Sequence, residues 1–180
     1  MAPKVTPVRS DESLPEAVDV VIIGGGIIGV TTAFFLARAG VSVALCEKGT
    51  IGGEQSSRNW GWTRGMGRDE RELPLGMSSL GLWREMNELT GRQPGVRQGG
   101  ILYACADQKQ LDEFQEWKKI ADTYQIQTTL MDGAKTAEMA GGAQRMFKGG
   151  LFCATDGRAE PTMAAPAIAE AAREHGAAIL

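Results

Sequence analysis

"VDVVIIGGGIIGVTTAFFLARAGVSVALCEKG", Val18 to Gly49, decides the fold. It is apolar enough to suggest a membrane anchor, and a spanning helix needs about 20 mainly apolar residues. Asp19 and Arg38 mark its two ends, however, and Gly24, Gly25, Gly26 and Gly29 would each weaken a helix by roughly 1 kcal/mol. The periodicity also changes inside the stretch. Val18, Val20, Val21, Ile22 and Ile23 form a short β-branched run, the pattern of a strand buried on both faces. From Ile27 the sequence becomes helical and stops at Gly40. Val41 to Glu47 then reads as a second buried strand. Strand, glycine turn, helix and strand make a right-handed βαβ unit.

The glycines fall in a defined register, Gly24-x-Gly26-x-x-Gly29, with small Ala33 further along the helix. Gly24 permits the tight turn, Gly26 lets a diphosphate approach the backbone, and Gly29 lets helix and strand pack closely. The helix N-terminus offers unpaired N–H groups and partial positive charge to phosphates. Glu47 lies 18 residues after Gly29, near the spacing of about 20 for a carboxylate that binds a ribose hydroxyl. An acid there repels a 2′-phosphate and disfavours NADP. The fingerprint by itself leaves FAD and NAD both open.

The rest of the composition narrows the class. A net charge of −3 and a pI near 5.3 give no nucleic-acid footprint. Cys46, Cys105 and Cys153 are widely spaced, without a Cys-x-x-Cys pair. They read as small buried hydrophobes rather than disulfide partners or metal ligands, and they fit a reducing, cytoplasmic compartment. Residues 1–17 are polar, lack the apolar core of a secretory signal, and read as a flexible extension.

After Glu47 comes "KGTIGGEQSSRNWGWTRGMGRD", Lys48 to Asp69, a long aperiodic loop of the kind usually kept for function. Ser56, Ser57, Arg58 and Asn59 bring hydroxyl, guanidinium and amide groups to it. Trp60, Gly61 and Trp62 offer either a flat wall for a planar ring or two core tryptophans. Together with the βαβ unit, "GGEQSSRNWGW" resembles the D-amino-acid oxidase, glycine oxidase and sarcosine oxidase family of FAD-dependent oxidoreductases. "GGILYACADQKQLDEFQEW" (Gly99 to Trp117) and the final stretch from Gly149 to Leu180, with Asp156, Gly157 and Pro161, follow the same family order.

The resemblance implies FAD as cofactor. It puts the diphosphate at Gly24, Gly25, Gly26, Ile27, Ile28 and Gly29, and the adenosine ribose at Glu47 with Lys48 beside it. Ser56, Ser57, Arg58, Asn59, Trp60 and Gly61 would lie along the diphosphate and flavin. The catalytic residues are unassigned; Arg58 and Arg64 are candidates for a place near the flavin ring or the substrate carboxylate. No metal site is expected. The implied reaction is hydride transfer from the α-carbon of an amino acid or amine to flavin, followed by hydrolysis of the imine. An NAD-dependent dehydrogenase and a non-catalytic nucleotide-binding chain are the competing readings.

Further along, Arg68 to Gly91 turns amphipathic, and Leu75, Leu80, Leu82, Trp83, Met86 and Leu89 are expected in a core. Strand material surrounds Gly99 and Gly100, and a surface helix carries Leu111, Phe114, Trp117, Lys118 and Ile120 on one stripe. The segments from Thr128 to Gly142 and from Ala143 to Gly157 read as short strands and turns. Pro161 opens a final alanine-rich helix, with His175 at its polar end, and "GAAIL" begins another buried strand. The expected class is therefore α/β. It comprises an extension (1–17), a Rossmann-type FAD-binding segment (18–75), the beginning of an α+β substrate domain (76–150) and an incomplete return to the FAD domain (151–180), with apparent truncation at the C-terminus. The partners expected are a small amine or amino acid and a complementary chain or missing C-terminal half, with no nucleic acid and no membrane span.

Overall fold

The structure is a computed structural model that describes residues 4–142 and 146–180. The chain divides into two compact units. The first comprises Met1–Trp62, Trp83–Val96 and Ala159–Leu180; the second comprises Thr63–Leu82 and Arg97–Arg158.

The first unit begins with β1 (Val20–Ile23), α1 (Ile27–Arg38) and β2 (Val43–Cys46). The strands are parallel, with Val20 beside Val43 and Ile23 beside Cys46. After α5 (Pro161–Glu174), β8 (Ala178–Ile179) joins the far side of β2, again in parallel, giving the order β1-β2-β8. Gly40, at φ +82°, ends the turn after α1, as its position in the sequence implies.

Val30, Ala33, Phe34 and Ala37 of α1 are buried, as are Ala164, Ala165, Ile168, Ala169, Ala171 and Ala172 of α5. All of these except Ala164 share a core with Val43, Leu45 and Ile179 of the sheet. Alanine at these positions lets the two helices lie close, and Phe34, fully buried, meets the Phe35 and His175 rings edge-on. Burying such a side chain contributes about 1.5–3 kcal/mol. Enlarging Ala33 or Ala169, both fully buried, would force the layers apart.

β1 corrects an expectation. Val20 and Ile22 pack on the helix-covered face, but Val21 is 60% and Ile23 91% exposed. Successive side chains point to opposite faces, so among the described residues β1 is covered on one face only.

The N-terminal segment is tied to this unit. Thr6 N–H donates to Thr162 O (3.0 Å), and Val8 packs on the core. Asp11 N–H donates to Ile179 O (2.7 Å), while Ile179 N–H donates to Asp11 Oδ2 (2.7 Å). Arg173 Nε donates to Asp11 Oδ1 at 3.0 Å. These bonds to α5 and β8 have no signature in the polar composition of the segment. Residues 1–3 of the expected extension lie outside the described residues.

The second unit is built on an antiparallel sheet of order β4-β6-β5, comprising β4 (Ile101–Cys105), β5 (Thr128–Asp132) and β6 (Gly149–Cys153). α3 (Gln108–Thr123) starts at Asp107, whose carboxylate accepts the Gln110 N–H at 2.9 Å. Phe114, Trp117 and Ile120 of the expected stripe pack on a core of Met66, Leu73, Ile101, Ala121, Ile126, Leu151 and Cys153.

The segment read as strand and turn after Thr128 contains a helix as well, α4 (Gly133–Met139). Its start was signalled by Asp132, which accepts the Lys135 N–H at 2.8 Å. Residues 143–145, part of the following strand-and-turn expectation, lie outside the described residues. The short strands β3 (Trp62–Thr63) and β7 (Gly157–Arg158) complete the set with α2 (Leu73–Thr90). On α2, Leu80 and Met86 are buried, and Trp83 and Leu89 pack on the first unit's core. Leu75 and Leu82 are instead 79% and 41% exposed, so the assumed stripe was too wide. Among the described residues no helix is long and apolar enough to cross a membrane.

Candidate functional site: the glycine turn and its acidic and serine neighbours

The turn between β1 and α1 is held from three sides. Gly24 adopts φ +107°, a conformation costly for side-chain-bearing residues, and its N–H donates to Cys46 O at 2.8 Å. A Cβ on Gly29 would lie 1.9 Å from the Gly24 carbonyl oxygen, so helix and strand meet there at backbone distance. Behind Gly25 sits Ile51, only 5% exposed, whose role was not read from the sequence. In front of Gly26 the nearest atom to a Cβ would be Ser56 Oγ, at 3.2 Å.

α1 therefore begins without a side-chain cap from its own N-cap residue, Gly26. Ser56 Oγ accepts the Ile27 N–H at 2.8 Å from across the loop. The next amides, of Ile28 and Gly29, have no preceding helical carbonyl to bond, and the helix dipole makes this end positive. Ile28 itself is 77% exposed. The donor set suits a diphosphate: backbone amides, a hydroxyl, and a glycine at the point of closest approach.

Glu47 follows β2 and turns back to this site. Its Oε2 accepts the Gly25 N–H at 2.7 Å and its Oε1 the Gly49 N–H at 2.8 Å. The two bonds fix the carboxylate and leave lone pairs on both oxygens for a sugar hydroxyl. Lys48, next along, is exposed.

The loop residues divide by what they touch. Ser56 faces the turn. Ser57 is 4% exposed and donates to Glu54 O at 3.2 Å, so it shapes the short 3₁₀ turn Gln55–Ser57. Asn59 Nδ2 donates to Gln55 O and Ser56 O, and its Oδ1 accepts the Gly61 N–H at 2.7 Å, which closes the loop on itself. Gly61, at φ +70°, would place a Cβ 2.0 Å from Ala159 O, so it sits against the start of α5. Arg58 pairs with Glu54 at 3.0 Å on the surface. Trp60 and Trp62 lie with ring centroids 5.0 Å apart and are 77% and 43% exposed. Neither ring is packed into a core of the described residues.

Arg64 belongs to the second unit, where it donates to Met66 O and lies over the Tyr103 ring at 5.8 Å. Burial pushes the Tyr103 phenol up, and the Arg64 guanidinium partly offsets this. Asp156, singled out in the sequence without a role, is fully buried. Its Oδ1 accepts the Gly65 N–H at 2.8 Å and its Oδ2 the Met66 N–H at 3.1 Å. Cys105 and Cys153 are buried as expected, while Cys46 is half-buried; all three are free.

Residues 19–180 match the model of the DAO family, FAD dependent oxidoreductase. The chain is 28% identical over 172 residues to human mitochondrial sarcosine dehydrogenase, covering 93% of this chain and 18% of that protein. It is likewise 28% identical over 172 residues to glycine oxidase of Geobacillus kaustophilus, covering 89% and 45%. Among solved structures, L-amino acid deaminase from Proteus myxofaciens superposes with a TM-score of 0.92 at 34% identity, over 99% of this chain and 41% of that one. The chain thus spans less than half the length of these relatives. A family match over nearly the whole sequence, on a βαβ turn with these donors, leads to one conclusion: the chain belongs to the DAO family of FAD-dependent oxidoreductases.

Proposed function

We propose that this chain carries the FAD-binding part of an enzyme that oxidises the C–N bond of an amino acid or of a primary or secondary amine. The observation that carries the proposal is the turn at residues 24–29, closed by Glu47 on one side and Ser56 on the other. In this reading the amides of Ile28 and Gly29 and the Ser56 hydroxyl hold the diphosphate, with Gly26 leaving room for it. Glu47 accepts a hydroxyl of the adenosine ribose, with Lys48 near the same rim. Ser57, Asn59 and Gly61 set the loop's shape, and Trp60 with Trp62 supplies an aromatic wall.

FAD, when bound, accepts the hydride from the substrate's α-carbon. The protein's part is to orient the substrate and balance its charge, and Arg58 and Arg64 are the candidate cations for a substrate carboxylate. Of the two, the pinned position of Arg64 favours it; Arg58 is committed to Glu54. In this reading the first unit is the cofactor domain and the second the start of the substrate domain, with bounds that differ from the divisions at residues 75 and 150 expected from the sequence. Sarcosine dehydrogenase and L-amino acid deaminase among the relatives support an amino-acid or N-methyl amino-acid substrate.

The exposed Val21 and Ile23 support a further partner. Parallel sheets are normally covered on both faces, so a complementary polypeptide would cover this one. Three free cysteines support a reducing compartment such as the cytoplasm.

The test uses the whole protein, purified with its flavin bound; one portion is denatured to release and identify the flavin, and the rest stays native. Glycine, sarcosine and larger L-amino acids are then added without oxygen while the flavin absorbance is followed. Bleaching by any member of the panel supports the proposal. A flavin-loaded protein bleached by dithionite but by no amine or amino acid would overturn the substrate class.

A further inference from the structure

We propose that Asp156 is a positioning residue that fixes Arg64 by clamping the turn that follows it. Three observations within the second unit carry the inference. The Asp156 carboxylate is fully buried and spends one oxygen on each of two consecutive amides, Gly65 at 2.8 Å and Met66 at 3.1 Å. Those two residues are remote in sequence from Asp156, so the bonds order the loop rather than cap a local turn. Met66, itself fully buried, then presents its carbonyl to Arg64 Nη1, and the guanidinium lies 5.8 Å from the centre of the Tyr103 ring.

The far side of the turn is closed as well. Gly67, at φ +71°, would place a Cβ 3.0 Å from Tyr103 Cε2. Backbone bonds hold Asp156 itself, for its carbonyl accepts the Gly100 N–H at 2.9 Å at the entry to β4. A carboxylate meeting two amides is fixed in both position and plane. A long, rotamer-rich arginine is ordered only when its contacts are themselves ordered. The clamp therefore supplies what Arg64 lacks alone, a fixed acceptor and a fixed aromatic face. The further role of Arg64 as anchor for a substrate carboxylate rests on the function proposed above; the clamp does not.

Tyr103 gives the readout, because burial holds its phenol up while the Arg64 guanidinium pulls it down, the Asp156 carboxylate pushes it up and Arg68, unchanged throughout, pulls it down. The chain has two tyrosines, and Tyr124→Phe leaves Tyr103 alone. In that background the phenolate absorbance is titrated for four proteins: the parent, Arg64→Gln, Asp156→Asn and the double variant. Arg64→Gln should shift the Tyr103 midpoint upward in the parent, because a nearby cation is lost. In the Asp156→Asn background the same substitution should produce little or no shift, because the guanidinium no longer dwells over the ring.

An equal upward shift in both backgrounds would overturn the proposal, since Asp156 would then act on Tyr103 by charge alone. No shift in the parent would overturn it too. If Asp156→Asn yields too little folded protein, Asp156→Glu carries the same cycle. Its carboxylate keeps the charge but, one methylene longer, cannot meet both amides in place, and the Arg64→Gln shift should shrink; an undiminished shift overturns the clamp. No flavin or substrate enters the cycle. A protein that binds no FAD would leave the clamp standing, and a failed cycle would leave the cofactor reading standing.

Discussion

Replacing Gly29 by alanine tests the packing on which the cofactor turn depends. The new Cβ would lie 1.9 Å from the Gly24 carbonyl oxygen, 3.1 Å from its carbon and 3.4 Å from Ile22 Cγ2. The first contact involves backbone on both sides, so no side-chain rotation relieves it; β1 and α1 must separate by about 1 Å in a close-packed interior. Overpacking of this kind costs about 1–3 kcal/mol, and a backbone clash belongs at the upper end. Against it stands the better helix propensity of alanine, about 1 kcal/mol. The net expectation is a loss of about 2 kcal/mol, or roughly 4–8 °C in Tm for a chain of this size. Thermal and urea unfolding followed by circular dichroism measure it. Gly76→Ala is the control, a helical position in α2 with nothing within 4 Å of a Cβ, where the same propensity term should stabilise by about 0.5–1 kcal/mol. If Gly29→Ala proves as stable as the control, helix and strand do not meet at that glycine, and the argument for the turn's geometry fails.

Gly26→Ala should behave differently, since its Cβ meets only Ser56 Oγ at 3.2 Å; stability should change little while FAD affinity falls, as isothermal titration would register. Ser56→Ala removes the acceptor of the Ile27 N–H, and a loss of about 0.5–2 kcal/mol, typical of a missing helix cap, is expected in urea unfolding. Asp11→Ala removes the side-chain acceptor of the Ile179 N–H and of Arg173 Nε, so limited proteolysis should cut within residues 4–17 sooner than in the parent. Burial pushes the Cys105 and Cys153 thiols up. The folded state therefore keeps them neutral at a pH where the unfolded thiols already ionise. Stability is unaffected below the unfolded value and declines as pH rises from there through the folded one. At pH 8, iodoacetamide should label Cys46 first, and mass spectrometry showing equal early labelling of all three would contradict this.

What could be read from the sequence was whatever local spacing determines. The β-branched run of Val20 to Ile23, the register of Gly24, Gly26 and Gly29, and the position of Glu47 together encode a βαβ turn, and the strands and helix stand close to where that pattern puts them. Less accessible were features that depend on partners distant in the chain. Asp156 bonds Gly65 and Met66, and Asp11 bonds Ile179; neither contact leaves a spacing to detect. α4 was hidden by its brevity, although Asp132 at its start was a usable signal. The stripe on α2 was drawn too wide because periodicity counts apolar residues without knowing which of them a neighbour covers, as Leu75 shows. The same blindness made β1 look buried twice. Within the loop, residue type suggested ligand contact for Ser56, Ser57 and Asn59 alike. In the structure only Ser56 turns toward the glycines, while Ser57 and Asn59 bond the loop's own backbone.

Nucleotide affinity tests the assignment of the glycine turn most directly. FAD and NADH are titrated separately into the flavin-free protein, followed by FAD into Gly26→Leu and Glu47→Gln variants shown by circular dichroism to remain folded. The expected result is saturable FAD binding tighter than that of NADH, strongly weakened by Gly26→Leu and weakened by Glu47→Gln. FAD affinity unchanged in both variants, or NADH bound more tightly than FAD, would contradict the assignment of this turn and its acidic neighbour as the FAD site.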